Sequence, residues 1–290
     1  MKILLGIEGG TGKGLAATAA VHELNKLGHQ VDVLTAWPQM WIGNNDVNRV
    51  YEWAKGEYLT DQLQNYDQVV LDDPYRQSCF LKGECNLAET FAKMLDVELP
   101  ENYKLYYEIT KAEMEEVKAL ANGFEKPILA VQTNGGQHQG YAWTKDMPLT
   151  EAVEVLNDFA NDYTIVHFRA AGQLQIDGVP HTEQLSIRQC IALLSLSEKR
   201  FLIDSVYQHA AVALGLESVV VWVATTPEQF GYDIHKNMLA HTPMLSNTHR
   251  LEILFPGLDT ASDKCPWGAD QTIIPIEETK VLLGNKQKAS

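Results

Sequence analysis

The glycine-rich run Glu8-Gly9-Gly10-Thr11-Gly12-Lys13-Gly14 is the stretch best equipped for chemistry. Glycines let backbone N–H groups approach a phosphate or a sugar closely, and a helix starting there would favour an anion at its N-terminus. The same run also suits a tight strand-to-helix turn that holds no ligand. Asp72 and Asp73 concentrate charge at the end of an apolar run. Trp37, Trp41 and Trp53 carry faces that stack on sugars or bases, with core packing the default for at least two of them. Metal chemistry finds no support. Cys79, Cys85, Cys190 and Cys265 fit no zinc spacing. His235 and His241 miss the i, i+4 helix spacing of ligands and read as surface residues.

These groups need elements to position them. Lys2–Ile7 reads as a buried parallel strand, Leu15–Leu27 as an Ala- and Leu-rich helix stopped by Gly28, and Val31–Thr35 as the next strand. The alternation continues through strands Arg49–Trp53 and Gln68–Leu71 and helices Asn86–Leu95 and Thr110–Ala121. Thr110 and Glu113 stand at capping-box spacing. The turn Asn122–Pro127 marks a boundary. Beyond it come strand Ile128–Gln132, a glycine loop, helix Thr150–Phe159, strand Thr164–Phe168 and helix Ser186–Leu196. Strand Phe201–Ile203, helix Gln208–Leu214 and strand Ser218–Ala224 follow. Strands alternating with helices imply parallel sheets. The expectation is an α/β protein of two Rossmann-like domains, residues 1–123 and 124–290, whose sheets face a cleft. His235–Ser246 shows no clear period, Thr260–Ala269 reads as a loop, and Lys286–Ser290 as a frayed end.

The 290 residues suffice for two domains without metal or disulfide staples. With 23 Lys and Arg against 38 Asp and Glu, the formal charge is −15, which argues against a general nucleic-acid-binding surface. Ile3–Ile7 is too short for a secretory core, and no apolar run approaches the ~18 residues of a membrane span. The expectation is a cytoplasmic protein with reduced thiols.

Glu8–Lys13 resembles the deviant P-loop of the ParA-type ATPases, helped by Trp37-Pro38-Gln39. The pattern then departs. Gly14 stands where Ser or Thr would hold Mg²⁺, and Ile7 where the first glycine belongs. Gly9-Gly10-Thr11-Gly12, the Ala-rich helix and Gly28-His29-Gln30-Val31 also resemble the opening of MurG-like glycosyltransferases. From Met1 to about Gly231 the chain is similar to the heptosyltransferase-like glycosyltransferases of family 9. The pieces come in that family's order: Asn44–Val50, Tyr66–Asp72, Ile109-Thr110 with Glu113, Ser186–Ser195, Phe201–His209, and Val219–Gly231.

The resemblance implies a GT-B fold and metal-independent sugar transfer from a nucleoside-diphosphate sugar, with no other cofactor. The acceptor would be a glycan, a lipid-linked glycan or a modified nucleic-acid base such as a DNA base. It places donor contacts on Thr133, Asn134 and Gly135, on Asp204, Ser205 and His209, on Lys145, and on Arg169, for which a surface salt bridge is the alternative. Gly10, Thr11 and Gly12 fall on the acceptor side. Two positions depart from the family. Val206 replaces a glycine, and Lys13 stands where the catalytic Asp belongs. Lys13 would contact a phosphate or an anionic acceptor, Glu8 becomes the substitute base, and Asp72 and Asp73 come next. The departure at Lys13 keeps two other readings open, a non-catalytic sugar-nucleotide-binding relative and the P-loop ATPase.

Overall fold

The computed structural model describes residues 1–53, 60–136, 141–241 and 271–284. It contains two parallel sheets. The first has the order β3-β2-β1-β4, from β1 (Lys2–Ile7), β2 (Gln30–Thr35), β3 (Val47–Glu52) and β4 (Gln68–Val70). The second has the order β6-β5-β7-β8-β9, from β5 (Ile128–Val131), β6 (Thr164–His167), β7 (Lys199–Ile203), β8 (Val219–Trp222) and β9 (Lys236–Leu239). The helices are α1 (Thr11–Lys26), α2 (Ser78–Leu81), α3 (Leu87–Met94), α4 (Lys111–Ala121) and α5 (Leu149–Leu156). After them come α6 (Ile187–Ser195), α7 (Val206–Ala213), α8 (Pro227–Phe230) and α9 (Ile276–Leu282). The expected α/β architecture with two Rossmann-like parallel sheets is present. Ser246, Thr260–Ala269, Lys286–Ser290 and Cys265 lie outside the described residues.

Central strands read as continuous apolar runs because helices cover both of their faces. β5 and β8 are buried at every position, whereas the outer strand β3 is half polar. β9 has one buried residue, Met238, which is why the segment from His235 shows no apolar period in the sequence. His235 itself is buried rather than at the surface, with 6% exposure. From Leu15 onward α1 is an Ala- and Leu-rich run without Gly or Pro, and the helix extends back through Gly14 and Gly12 to Thr11. It ends in a Schellman motif, with Gly28 at φ +79°, Gly28 N–H donating to the Asn25 carbonyl and His29 N–H to that of Leu24. Asp32 is a fully buried carboxylate within the first sheet, satisfied by Asn48 Nδ2 and the Tyr66 hydroxyl, each at 2.7 Å.

Contacts divide the chain into two compact units. One is Met1–Thr110 with His209–Gly215, and the other holds the described residues of Lys111–Gln208 and from Leu216 onward. The sequence boundary at 123/124 follows α4, which packs on α6 in the second unit. The Arg188 guanidinium grips Glu113 with two hydrogen bonds, and its Nη2 lies 2.8 Å from Glu113 Oε2. The Glu113 carboxylate thus ties α4 to α6 through Arg188. Both side chains are largely buried, so deleting one partner strands the other. R188A should cost about 3 kcal/mol in urea unfolding, and the R188M/E113Q double variant should recover part of it. A loss indistinguishable from a surface substitution would refute this.

Among the described residues no helix is long and apolar enough to cross a membrane.

Candidate functional site

In open parallel sheets, ligands gather at the carboxyl ends of the strands where the chain reverses its direction of travel. In the first sheet the chain runs outward from β1 to β3, then returns to place β4 on the other side of β1. In the second it places β6 on one side of β5 and β7 on the other. Glu8 to Lys13 follow β1, and Asp72 and Asp73 follow β4. Thr133, Asn134 and Gly135 follow β5, and Asp204 and Ser205 follow β7. The sequence candidates thus concentrate at both switch points.

At the first, Gly9 takes φ +93°, a left-handed turn that favours glycine, and Trp37 Nε1 donates to its carbonyl at 2.8 Å. Gly10 caps α1 without a side-chain hydrogen bond. Lys13 curls back instead of facing outward. Its Nζ lies 2.9 Å from both carboxylate oxygens of Asp73 and 3.9 Å from the centre of the Tyr75 ring. Lys13 is 7% exposed. Asp73 also accepts the Tyr75 N–H at 3.0 Å. Asp72 accepts the Asp73 N–H at 2.9 Å and Gln77 Nε2 at 2.6 Å. Glu8 is exposed. His209 belongs to this unit, where a Cβ on Gly12 would lie 2.7 Å from the His209 ring. Glycine at position 12 is therefore what allows that approach.

At the second switch point a buried network shapes the loop after β5. Asp146, fully buried, accepts the Gly135 N–H and Ala142 N–H at 2.8 Å each and Asn134 Nδ2 at 2.9 Å. Thr133 Oγ1 donates to Asn134 Oδ1 at 2.9 Å and lies 2.9 Å from His167 Nε2. The Ile176 N–H points at His167 Nδ1 from 3.2 Å. A backbone N–H can only donate, so Nδ1 is the acceptor and Nε2 carries the proton. Burial, with Arg169 and His181 adding positive potential, lowers the His167 pKa to about 4 and keeps the ring neutral. The donors of Thr133, Asn134 and Gly135 thus face inward.

Three groups at this edge have the chemistry to hold an anion. Ser205 Oγ accepts Gln132 Nε2 at 2.9 Å, which leaves its own proton to give. The eight-residue helix α7 begins directly after it. Lys145 Nζ sits 2.9 Å from Asp204 Oδ2 and 5.4 Å from the Phe230 ring centre, with its side chain 33% exposed. Arg169 is different: its guanidinium is buried, paired with Glu183, and donates to the Gln173 carbonyl at 2.9 Å. Gln173 in turn donates to the Gly136 carbonyl at 3.0 Å, so Arg169 braces the loop. Among the described residues no three His, Cys, Asp or Glu side chains are grouped to hold a metal ion.

Solved structures share this arrangement of elements. A glycosyl transferase family 9 protein from Veillonella parvula superposes with a TM-score of 0.63 at 13% identity, over 82% of this chain and 85% of that one. The chain has the fold of these glycosyltransferases. E. coli ADP-heptose lps heptosyltransferase II gives 0.62 at 15% identity, over 82% and 90%. The iron-containing heptosyltransferase TibC of E. coli, in complex with ADP-D-beta-D-heptose, gives 0.61 at 12% identity, over 98% and 73%. No family model and no curated protein matches the sequence.

Sequence reasoning missed Asp146 and His167. Asp146 follows Lys145 in a loop that carries no spacing signal. His167 is a polar residue that follows the apolar pair Ile165-Val166 in β6, which is the one hint that it has a buried partner.

Proposed function

We propose that the protein is a glycosyltransferase that moves a sugar from a nucleoside-diphosphate sugar to the hydroxyl of a glycan acceptor. The observation that carries this is the set of anion-holding groups at the β5/β7 switch point: the Ser205 hydroxyl, the N-terminus of α7 and Lys145. In the reaction, the acceptor oxygen attacks the anomeric carbon, the bond from that carbon to the diphosphate oxygen breaks, and the electron pair leaves with the nucleoside diphosphate. Ser205, Lys145 and the first N–H groups of α7 take up the developing charge without a metal. Asp204 orients Lys145. Thr133, Asn134 and Gly135 shape the loop after β5 rather than donate to the substrate, because Asp146 and His167 hold them. Glu8, exposed on the turn after β1, receives the acceptor proton. Gly10, Thr11 and Gly12 supply the backbone on the acceptor side.

A second reading, a sugar-nucleotide-binding protein without transfer, is favoured by Lys13. Its ammonium is locked to Asp73 where these transferases have a carboxylate. That lock also disfavours the P-loop ATPase, which needs the lysine on a phosphate.

Melting temperature against ADP, UDP, GDP, CDP and ATP, with and without Mg²⁺, tests the reading. ADP heads the panel because TibC, which shares the fold, is in complex with ADP-D-beta-D-heptose. A nucleoside diphosphate at ~100 times its dissociation constant should add about 2.7 kcal/mol without Mg²⁺. Stabilisation by ATP alone, and only with Mg²⁺, would overturn the transferase. Nucleotide binding without hydrolysis or transfer from the matching sugar donor would select the second reading.

A further inference from the structure

Trp53 and Leu71 approach the middle of the first sheet from its opposite edges. Trp53 directly follows β3 and Leu71 directly follows β4, and the two meet over Gly6 of β1. A Cβ at Gly6 would lie 2.6 Å from Leu71 Cδ2 and 3.1 Å from Trp53 Cζ3. The indole approaches Gly6 with its benzo-ring atoms Cζ3 and Cη2. Both side chains keep substantial surface, Trp53 37% and Leu71 49%. Trp37 and Trp41 are spent otherwise: Trp37 is bonded to Gly9, and Trp41 is 3% exposed. Exposed carboxylates stand beside this apolar shelf, Glu8 two residues after Gly6 and Asp72 next to Leu71.

We propose that the Trp53–Leu71 shelf seats the acceptor's sugar ring, with its C–H face on the apolar shelf and its hydroxyls directed to Glu8 and Asp72. This rests on the transferase reading and names the substrate class of its acceptor side. A pyranose has the matching chemistry. Its axial C–H bonds form an apolar face, and its rim carries several hydroxyl donors. Each Asp72 oxygen accepts one protein donor and retains a second lone pair for a hydroxyl. Nucleic acid fits poorly, because carboxylates flank the shelf and the chain carries −15. A lipid headgroup fits poorly too, because the nearby cation, Lys13, is already bound to Asp73. Placing the ring here sets it on the strand that leads straight into Glu8.

The test uses saturation-transfer difference NMR on the intact protein with methyl glycosides of glucose, galactose, mannose and N-acetylglucosamine. At least one glycoside should be saturated on one ring face. The signal should fall by about fivefold or more in W53A and be largely retained in W53F, as expected for stacking of about 1 kcal/mol. D72N should also weaken it. Melting curves with and without ADP show that each variant is folded and report the donor side separately. Glycoside signals unchanged in W53A would overturn the shelf. So would silence from every glycoside, or binding of the apolar dye ANS at Trp53 in their place, even when nucleotides stabilise the protein. Silence from nucleotides alongside a Trp53-dependent glycoside signal would instead overturn the donor assignment and leave a sugar-binding shelf.

Discussion

Replacing Asp146 with alanine should cost about 4 kcal/mol in urea unfolding. The carboxylate is fully buried and accepts two backbone N–H groups, those of Gly135 and Ala142, and the Asn134 amide. Without it these donors are buried without a partner, at about 1–3 kcal/mol each before relaxation. D146N should recover little, because its NH₂ group would face the same donors. Hydrogen exchange at the Gly135 and Ala142 amides should accelerate more than the global stability loss explains. A loss below about 1 kcal/mol, within the range of a surface substitution, would show that the loop after β5 is held by other contacts.

Stability should fall as pH drops from 6.5 to 4 by an amount traceable to two histidines. Burial lowers both His167 and His235 to about 4 from the ordinary 6.5. For His235, the Nε2–H bond to the Gln208 carbonyl opposes the shift, and the nearby Arg200 adds to it. The folded chain resists protonation at these rings, so the unfolded chain binds more protons throughout that window. Each ring's contribution is complete above pH 6.5, declines toward pH 4, and is constant below it. The slope is about 1.4 kcal/mol per pH unit for each ring, or about 3 kcal/mol each across the window. Carboxylates also titrate there, so the comparison must be with H167Q and H235Q. The stability difference between the wild type and each variant should narrow by about 3 kcal/mol between pH 7 and pH 4. A constant difference would mean that the ring is solvated or already protonated.

The alternation of apolar strands and helices made both sheets legible in the sequence, because buried parallel strands admit few polar residues. Glycine turns identified both switch points, since close chain approach there excludes side chains. Edge elements were harder. β9 buries only Met238, and α9 buries Thr279, so neither shows a strong period. Side-chain direction was not legible at all. Lys13 reads as an outward cation from its place in a glycine loop, but Asp73, sixty residues on, turns it inward. Arg169 was legible only as one of two alternatives, and Glu183 with the Gln173 carbonyl makes it a brace. Asp146 acts through loop hydrogen bonds that follow no helix or strand period, and His167 through one to Thr133, thirty-four residues earlier.

The last described segment is stitched to earlier parts of the chain at both of its ends. Glu151 accepts the N–H groups of Ile273 and Ile274, while Lys199 and Lys236 donate to the carbonyls of Leu283 and Leu282 at the end of α9. Ile274 and Leu283 belong to the core of the second unit. During synthesis, then, the four strands of the first sheet are available once residue 70 has been made, but the second core stays open until residue 283 emerges. The apolar faces of β5, β7 and β8 must wait through the making of more than fifty residues after β8. That interval is when this chain is most exposed to aggregation and most in need of a chaperone.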